Sequence, residues 1–141
     1  METDRNVITI GTTINAPVET VWENWTNPEH IINWCYATDD WHAPRAANDL
    51  RSGGEFSTRM EAKDASMGFD FAGIYDEVKP HCYIEYAMGD GRKVKIDFES
   101  EDNSTQIRQS FDAENMHSAE MQRAGWQAIL DTFKKYVEQS R

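Results

Sequence analysis

HSAEMQRAGWQAILDTFKKYVEQSR, residues 117–141, is the stretch whose reading decides the fold. It contains no proline, and Trp126, Ile129, Leu130, Phe133 and Val137 recur at helical spacing, so one long amphipathic helix is expected. Carrying that stripe toward its N-terminus brings Ala119, Gln122 and Arg123 onto the same face. The C-terminal half of the face is apolar and the N-terminal half is not, which predicts that the first half covers something other than a close-packed core. Gly125, on the flank, is expected to let backbone or a ligand approach closely.

Such a helix needs a surface to cover, and the chain offers one between Trp41 and Phe111. Turn chemistry recurs at Ser52-Gly53-Gly54, Asp64 to Gly68, Lys79-Pro80, Gly89-Asp90-Gly91 and Asp102-Asn103, separating about six antiparallel strands. Within them the side chains alternate. Phe56, Thr58 and Met60 share one face, as do Phe69, Phe71, Gly73 and Tyr75, then Ile84, Tyr86 and Met88, then Val94, Ile96 and Phe98. Glu55, Arg59, Asp70, Glu85, Lys95 and Asp97 are among the residues on the other face, so one side is wet and the other covered.

Residues 6–14, NVITIGTTI, have the period of a first strand. Pro17 then opens a helix whose stripe is Val18, Val21, Trp22 and Trp25, and NPEHIINW starts a second, with Asn27 as cap, Pro28 in the first turn, and Ile31, Ile32 and Trp34 turned inward. The expected architecture is α+β: a curved antiparallel sheet of about six to seven strands wrapped on a long C-terminal helix, with two short helices after strand 1. Residues 1–141 are expected to form a single domain, a length at which roughly two thirds of the unfolded surface is buried.

Composition narrows the function classes. The net charge is −11, from 14 basic and 25 acidic residues, and the basic residues form no stripe, so neither nucleic acid nor an anionic membrane surface is an expected partner. No run approaches the ~20 apolar residues of a membrane span, and the N-terminus lacks the basic and apolar regions of a signal peptide. A cytoplasmic location is the expectation. Cys35 and Cys82 form no CxxC pair, so reduced thiols are expected, and the four histidines His30, His42, His81 and His117 lack metal-ligand spacing. No cofactor or metal is expected. Nucleophile elbows, P-loops and dinucleotide-binding glycine patterns are absent from the sequence.

Four stretches carry a family resemblance: NAPVETVWENWTNPEHIINW, DLRSGGEF, FDFAGIYDEVKP and QRAGWQAILDTFKKYVE. In this order they resemble the START-like, or SRPBCC, helix-grip superfamily that includes the birch-pollen allergen fold, and within it the activator-of-heat-shock-ATPase homologue group. The resemblance implies a cavity between the sheet and the C-terminal helix, where superfamily members hold lipids, sterols, polyketides and other hydrophobic molecules. Other members are cyclases, hydroxylase subunits or chaperone partners, so the fold leaves the activity open.

The candidate lining of that cavity is the inward row Phe56, Met60, Phe71, Tyr75, Tyr86 and Phe98, an apolar wall with two hydroxyl tips. Gln122 and Trp126 would face it from the helix. In the resembled fold, WCYATDDWHAP (34–44) sits at one end of the cavity, where Trp34 and Trp41 would line or close the mouth; packing beside the helix pair is the alternative reading. Asp39 and Asp40 point to opposite faces and are read as solvated. His42 and His117 are placed at the mouth from opposite sides.

The leading expectation is binding of a small hydrophobic or amphipathic ligand. The alternatives are a regulatory partner of a heat-shock chaperone, working through its acidic surface, and a cyclase- or hydrolase-like enzyme using His42, Tyr75 or Tyr86 for proton transfer. A homodimer is compatible with the fold.

Overall fold

A computed structural model describes residues 7–139. The chain runs β1 (Val7–Ile14), α1 (Val18–Thr26), α2 (Pro28–Ile31), β2 (Trp41–Asn48), β3 (Glu55–Ala62), β4 (Gly68–Lys79), β5 (Tyr83–Met88), β6 (Lys93–Glu101), β7 (Ser104–Asp112) and α3 (Ala119–Gln139). The strands form one curved antiparallel sheet in the order β1-β7-β6-β5-β4-β3-β2, with α3 lying along β1. Sequential hairpins make β2 to β7 a meander, and β1 reaches the β7 edge only because two helices intervene.

Local chemistry accounts for the front of the chain. Pro17 stands at the N-cap of α1, one residue before the first helical position it was expected to fill, and its extended ψ of 153° turns the chain off β1. The Asn27 side chain caps α2 by accepting from the Glu29 amide at 2.9 Å, with Pro28 in the first turn. Val18, Val21 and Trp22 are buried as the stripe predicts. Ile31 and Trp34 point inward, but Ile32 is exposed, because the helix ends there and the chain leaves it in a tight turn.

The polar first half of the α3 face has a structural use. Arg123 donates to the Thr9 carbonyl at 2.8 Å and Gln127 to Gly11 at 3.2 Å, and in the second half of the helix Lys134 continues the row by donating to Thr13 at 2.6 Å. These alternate carbonyls belong to an edge strand, whose unpaired groups would otherwise face water or another chain. Leu130, Phe133 and Val137 of the helix are fully buried, and Phe133 packs edge-on against Trp25 and Trp34 at 4.8 and 4.7 Å.

The helices do not cover the sheet evenly. α1 contacts β6 and β7, α2 contacts β2, and α3 contacts β1, whereas the middle strands β3 to β5 have no comparable helix contact among the described residues and are roofed by side chains reaching in from this rim.

Candidate ligand-binding cavity

Uneven cover leaves a cavity of about 280 Å³ above β3, β4 and β5. Its floor is built by period-two alternation: Phe56 and Met60 from β3, Phe71 and Tyr75 from β4, Tyr86 and Met88 from β5. Trp126, Ile129 and Leu130 of α3 form the roof, and Trp25, Trp34 and Cys35 close the end nearest the short helices. Eight of the twenty described lining residues are aromatic. Phe56 meets Tyr86 at a centroid separation of 4.7 Å and Phe71 at 5.6 Å, and Phe71 meets Trp126 at 6.1 Å, so edge-to-face contacts run from floor to roof.

One glycine makes this floor possible. A Cβ on Gly73 would lie 2.8 Å from the Phe56 ring and 2.6 Å from the Ala87 carbonyl, so only glycine lets Phe56 lie across β4. Gly125 is different: a Cβ there meets nothing within 4 Å, so among the described residues no backbone makes the close approach expected of it.

Seven of the ten candidate residues line the cavity: Trp34, Phe56, Met60, Phe71, Tyr75, Tyr86 and Trp126. Trp41, Phe98 and Gln122 do not, each for a definable reason. Trp41 begins the edge strand β2 and packs on Phe69 with ring centroids 6.0 Å apart, so it touches the cavity only through that neighbour. Phe98 faces inward, but α1 fills the space over it: Trp22 and Trp25 pack edge-on at 5.3 and 5.8 Å. Gln122 is committed internally, accepting from the Glu114 amide at 2.8 Å and donating to the carbonyls of Glu114 at 3.1 Å and His117 at 2.9 Å. It ties the β7–α3 connection to the helix and has no free donor to offer.

The histidines also lie elsewhere. His42 is paired with Glu61 at 3.8 Å on the exposed side of the edge hairpin. His117 donates from Nδ1 to the Glu114 carboxylate, 2.9 Å away, and borders a shallower groove beside Arg92 and Met121. Asp39 and Asp40 are exposed, as expected.

Polar groups inside the cavity divide into two sets. Tyr75 donates its hydroxyl to Asn48 Oδ1 at 2.6 Å, and the Asn48 amide donates to the Thr26 carbonyl at 2.6 Å, which ties the floor to the end of α1. Tyr86, Thr58 and Gln109 are 6%, 4% and 5% exposed and line the cavity, yet their side chains have no hydrogen-bond partner among the described residues. Burial drives the Tyr86 hydroxyl well above its ordinary pKa, and does the same to Tyr75 against the opposing effect of its bond to Asn48. Burial also pushes the Cys35 thiol up to about 12. These groups are neutral near pH 7, suited to hydrogen bonding rather than to proton transfer.

Sequence reasoning missed Gln109, Asn48 and Cys35. Gln109 carried a signal, since it occupies an inward position of β7 between Ile107 and Phe111. Asn48 had none: only the folded register shows it reaching Tyr75.

A curved antiparallel sheet holding a long C-terminal helix, with two short helices after the first strand and an apolar cavity between, defines a START-like helix-grip protein. Within that class, the chain belongs to the Activator of Hsp90 ATPase homolog 1-like family, whose model matches residues 15–138. The solution structure of an AHSA1-like protein from Aeromonas hydrophila is 42% identical, with a TM-score of 0.90 over 96% of this chain and 94% of that one. A protein from Cytophaga hutchinsonii is 51% identical, with a TM-score of 0.81 over 94% of this chain and 92% of that one. A Nitrosomonas europaea protein shares the fold at 20% identity and a TM-score of 0.82, covering 96% of each chain. A search of the curated proteins gave no match. Among the described residues no helix is long and apolar enough to cross a membrane.

Proposed function

We propose that this protein, acting as one domain, binds a small apolar or amphipathic molecule between its sheet and α3. The single observation that carries the reading is the cavity of about 280 Å³, whose walls are aromatic and aliphatic and whose polar groups are few and inward-facing. That volume of about 280 Å³ falls just below the roughly 300–1,000 Å³ typical of ligand sites, which favours a compact ligand over a long-chain lipid. A cytoplasmic setting belongs to the same reading and rests on two unpaired thiols, one buried and one exposed.

Native mass spectrometry of the purified protein, followed by tryptophan quenching with fatty acids, sterols and aromatic ring compounds, tests it. A co-purified adduct or saturable quenching that Phe71→Ala weakens is expected. No saturable response from any compound would overturn it.

A second reading is regulation of a chaperone ATPase. It rests on the family description and on the net charge of −11, which suits a basic partner surface. Stimulated ATP turnover by an Hsp90-type chaperone on adding the protein would support it, and unchanged turnover would remove it. An enzymatic reading receives less support: none of the described cavity residues is a histidine, and the two tyrosine hydroxyls are held neutral.

A further inference from the structure

The three unpartnered groups are dispersed. Tyr86 projects from β5, Thr58 from β3 and Gln109 from β7, so they reach from the β3 side of the cavity to its β7 side and are not gathered at one end. A buried polar group without a partner costs about 1–3 kcal/mol, and water takes such valences in an empty polar cavity. A purely hydrocarbon ligand would displace that water and leave all three groups unpaired. A fatty acid with one polar head would satisfy one region and leave the others.

Charge narrows the class further. Arg92 is the only charged side chain among the described lining residues, and its Nε is already held by Asp90 Oδ2 at 2.7 Å. A carboxylate entering here would leave water for a cation whose charge is already balanced.

We propose that the ligand is an uncharged, compact molecule bearing oxygen functions at two or more positions on an apolar frame, and that Tyr86, Thr58 and Gln109 are the specificity-determining residues that hydrogen-bond to them. The inference rests on the reading of the cavity as a ligand site and adds the ligand's polarity pattern. Tyr86 and Thr58 each offer a hydroxyl able to donate or accept, and Gln109 offers both an amide donor and a carbonyl acceptor. Hydroxyl and carbonyl oxygens in the ligand match all three.

The test compares three probes, 1,5-dihydroxynaphthalene, naphthalene and decanoate, by tryptophan quenching against the native protein and against Tyr86→Phe, Thr58→Val and Gln109→Met. Each substitution nearly conserves volume and removes a group with no partner, so the variants are expected to fold. The quantity read is the affinity ratio of dihydroxynaphthalene to naphthalene. Loss of one hydrogen bond to the ligand is expected to lower that ratio about fivefold in at least one variant, with naphthalene binding unchanged or improved and decanoate weakest throughout. A ratio unmoved by all three substitutions, or decanoate binding tightest, overturns the polarity assignment and leaves the cavity reading standing. Absence of saturable binding by every probe overturns both.

Discussion

Tyr75 and Tyr86 face each other across β4 and β5 as direct register partners, their rings 6.3 Å apart and nearly perpendicular, yet among the described residues only Tyr75 has a hydrogen-bond partner for its hydroxyl. The same chemical change at the two positions should therefore have opposite effects. Tyr75→Phe strands Asn48 Oδ1 and is expected to cost about 1–2 kcal/mol. Tyr86→Phe removes an unsatisfied group and is expected to leave stability unchanged or raise it. Urea midpoints of the two variants check this, and a loss above about 1 kcal/mol at Tyr86 would mean that its hydroxyl has a partner in the unliganded protein.

Gly73→Ala should destabilise the protein by roughly 1–3 kcal/mol, because the new methyl group meets both the Phe56 ring and the Ala87 carbonyl, and the second is backbone that cannot swing aside. Gly125→Ala meets nothing and removes a flexible residue from a helix interior, so a gain of about 0.5–1 kcal/mol is expected. Thermal melts of the pair give the contrast directly.

Trp126 lies flat on Phe111, with centroids 4.0 Å apart and 10° between planes, and it also roofs the cavity. Trp126→Ala is expected to cost about 2–4 kcal/mol and to weaken ligand binding together with stability. Trp126→Phe should recover most of the stability. Paired denaturation and quenching measurements separate the packing role from the roofing role.

The buried Cys35 thiol, raised to about 12 from an ordinary 9.0, should resist thiol reagents at pH 8 while the exposed Cys82 reacts. Its linkage sign is that of a raised pKa: the stabilisation is intact below pH 9 and is lost as pH climbs toward 12, because the unfolded chain ionises first. Tyr75 and Tyr86, also raised by burial, act in the same direction at higher pH. Cys35→Ala should flatten the decline in stability measured between pH 9 and 12.

Much of this architecture was legible in the residues themselves. Alternation at Phe56-Thr58-Met60 and Ile84-Tyr86-Met88 fixed the inward face of the sheet, and the stripe from Trp126 to Val137 fixed the helix that covers it. The candidate site was legible only in part, because an inward position does not reveal what sits above it. Phe71 and Phe98 share the same periodicity; Phe71 faces the void and Phe98 is covered by Trp22 and Trp25, a difference set by where α1 comes to rest. Gln122 and Arg123 correctly signalled a polar start to the helix face. Their use, holding the β7–α3 connection and the β1 edge, depends on backbone carbonyls that side-chain patterns do not record.

The five tryptophans provide the most direct measurement. Trp25, Trp34 and Trp126 line the cavity, and Trp22 and Trp41 do not. Titration of ¹⁵N-labelled protein with 1,5-dihydroxynaphthalene, following the indole N–H signals, should therefore shift Trp25, Trp34 and Trp126 saturably and leave Trp22 and Trp41 close to their starting positions. Shifts confined to Trp22 and Trp41, or no saturable shift in any indole with this compound, naphthalene or decanoate, would contradict a ligand site between the sheet and α3.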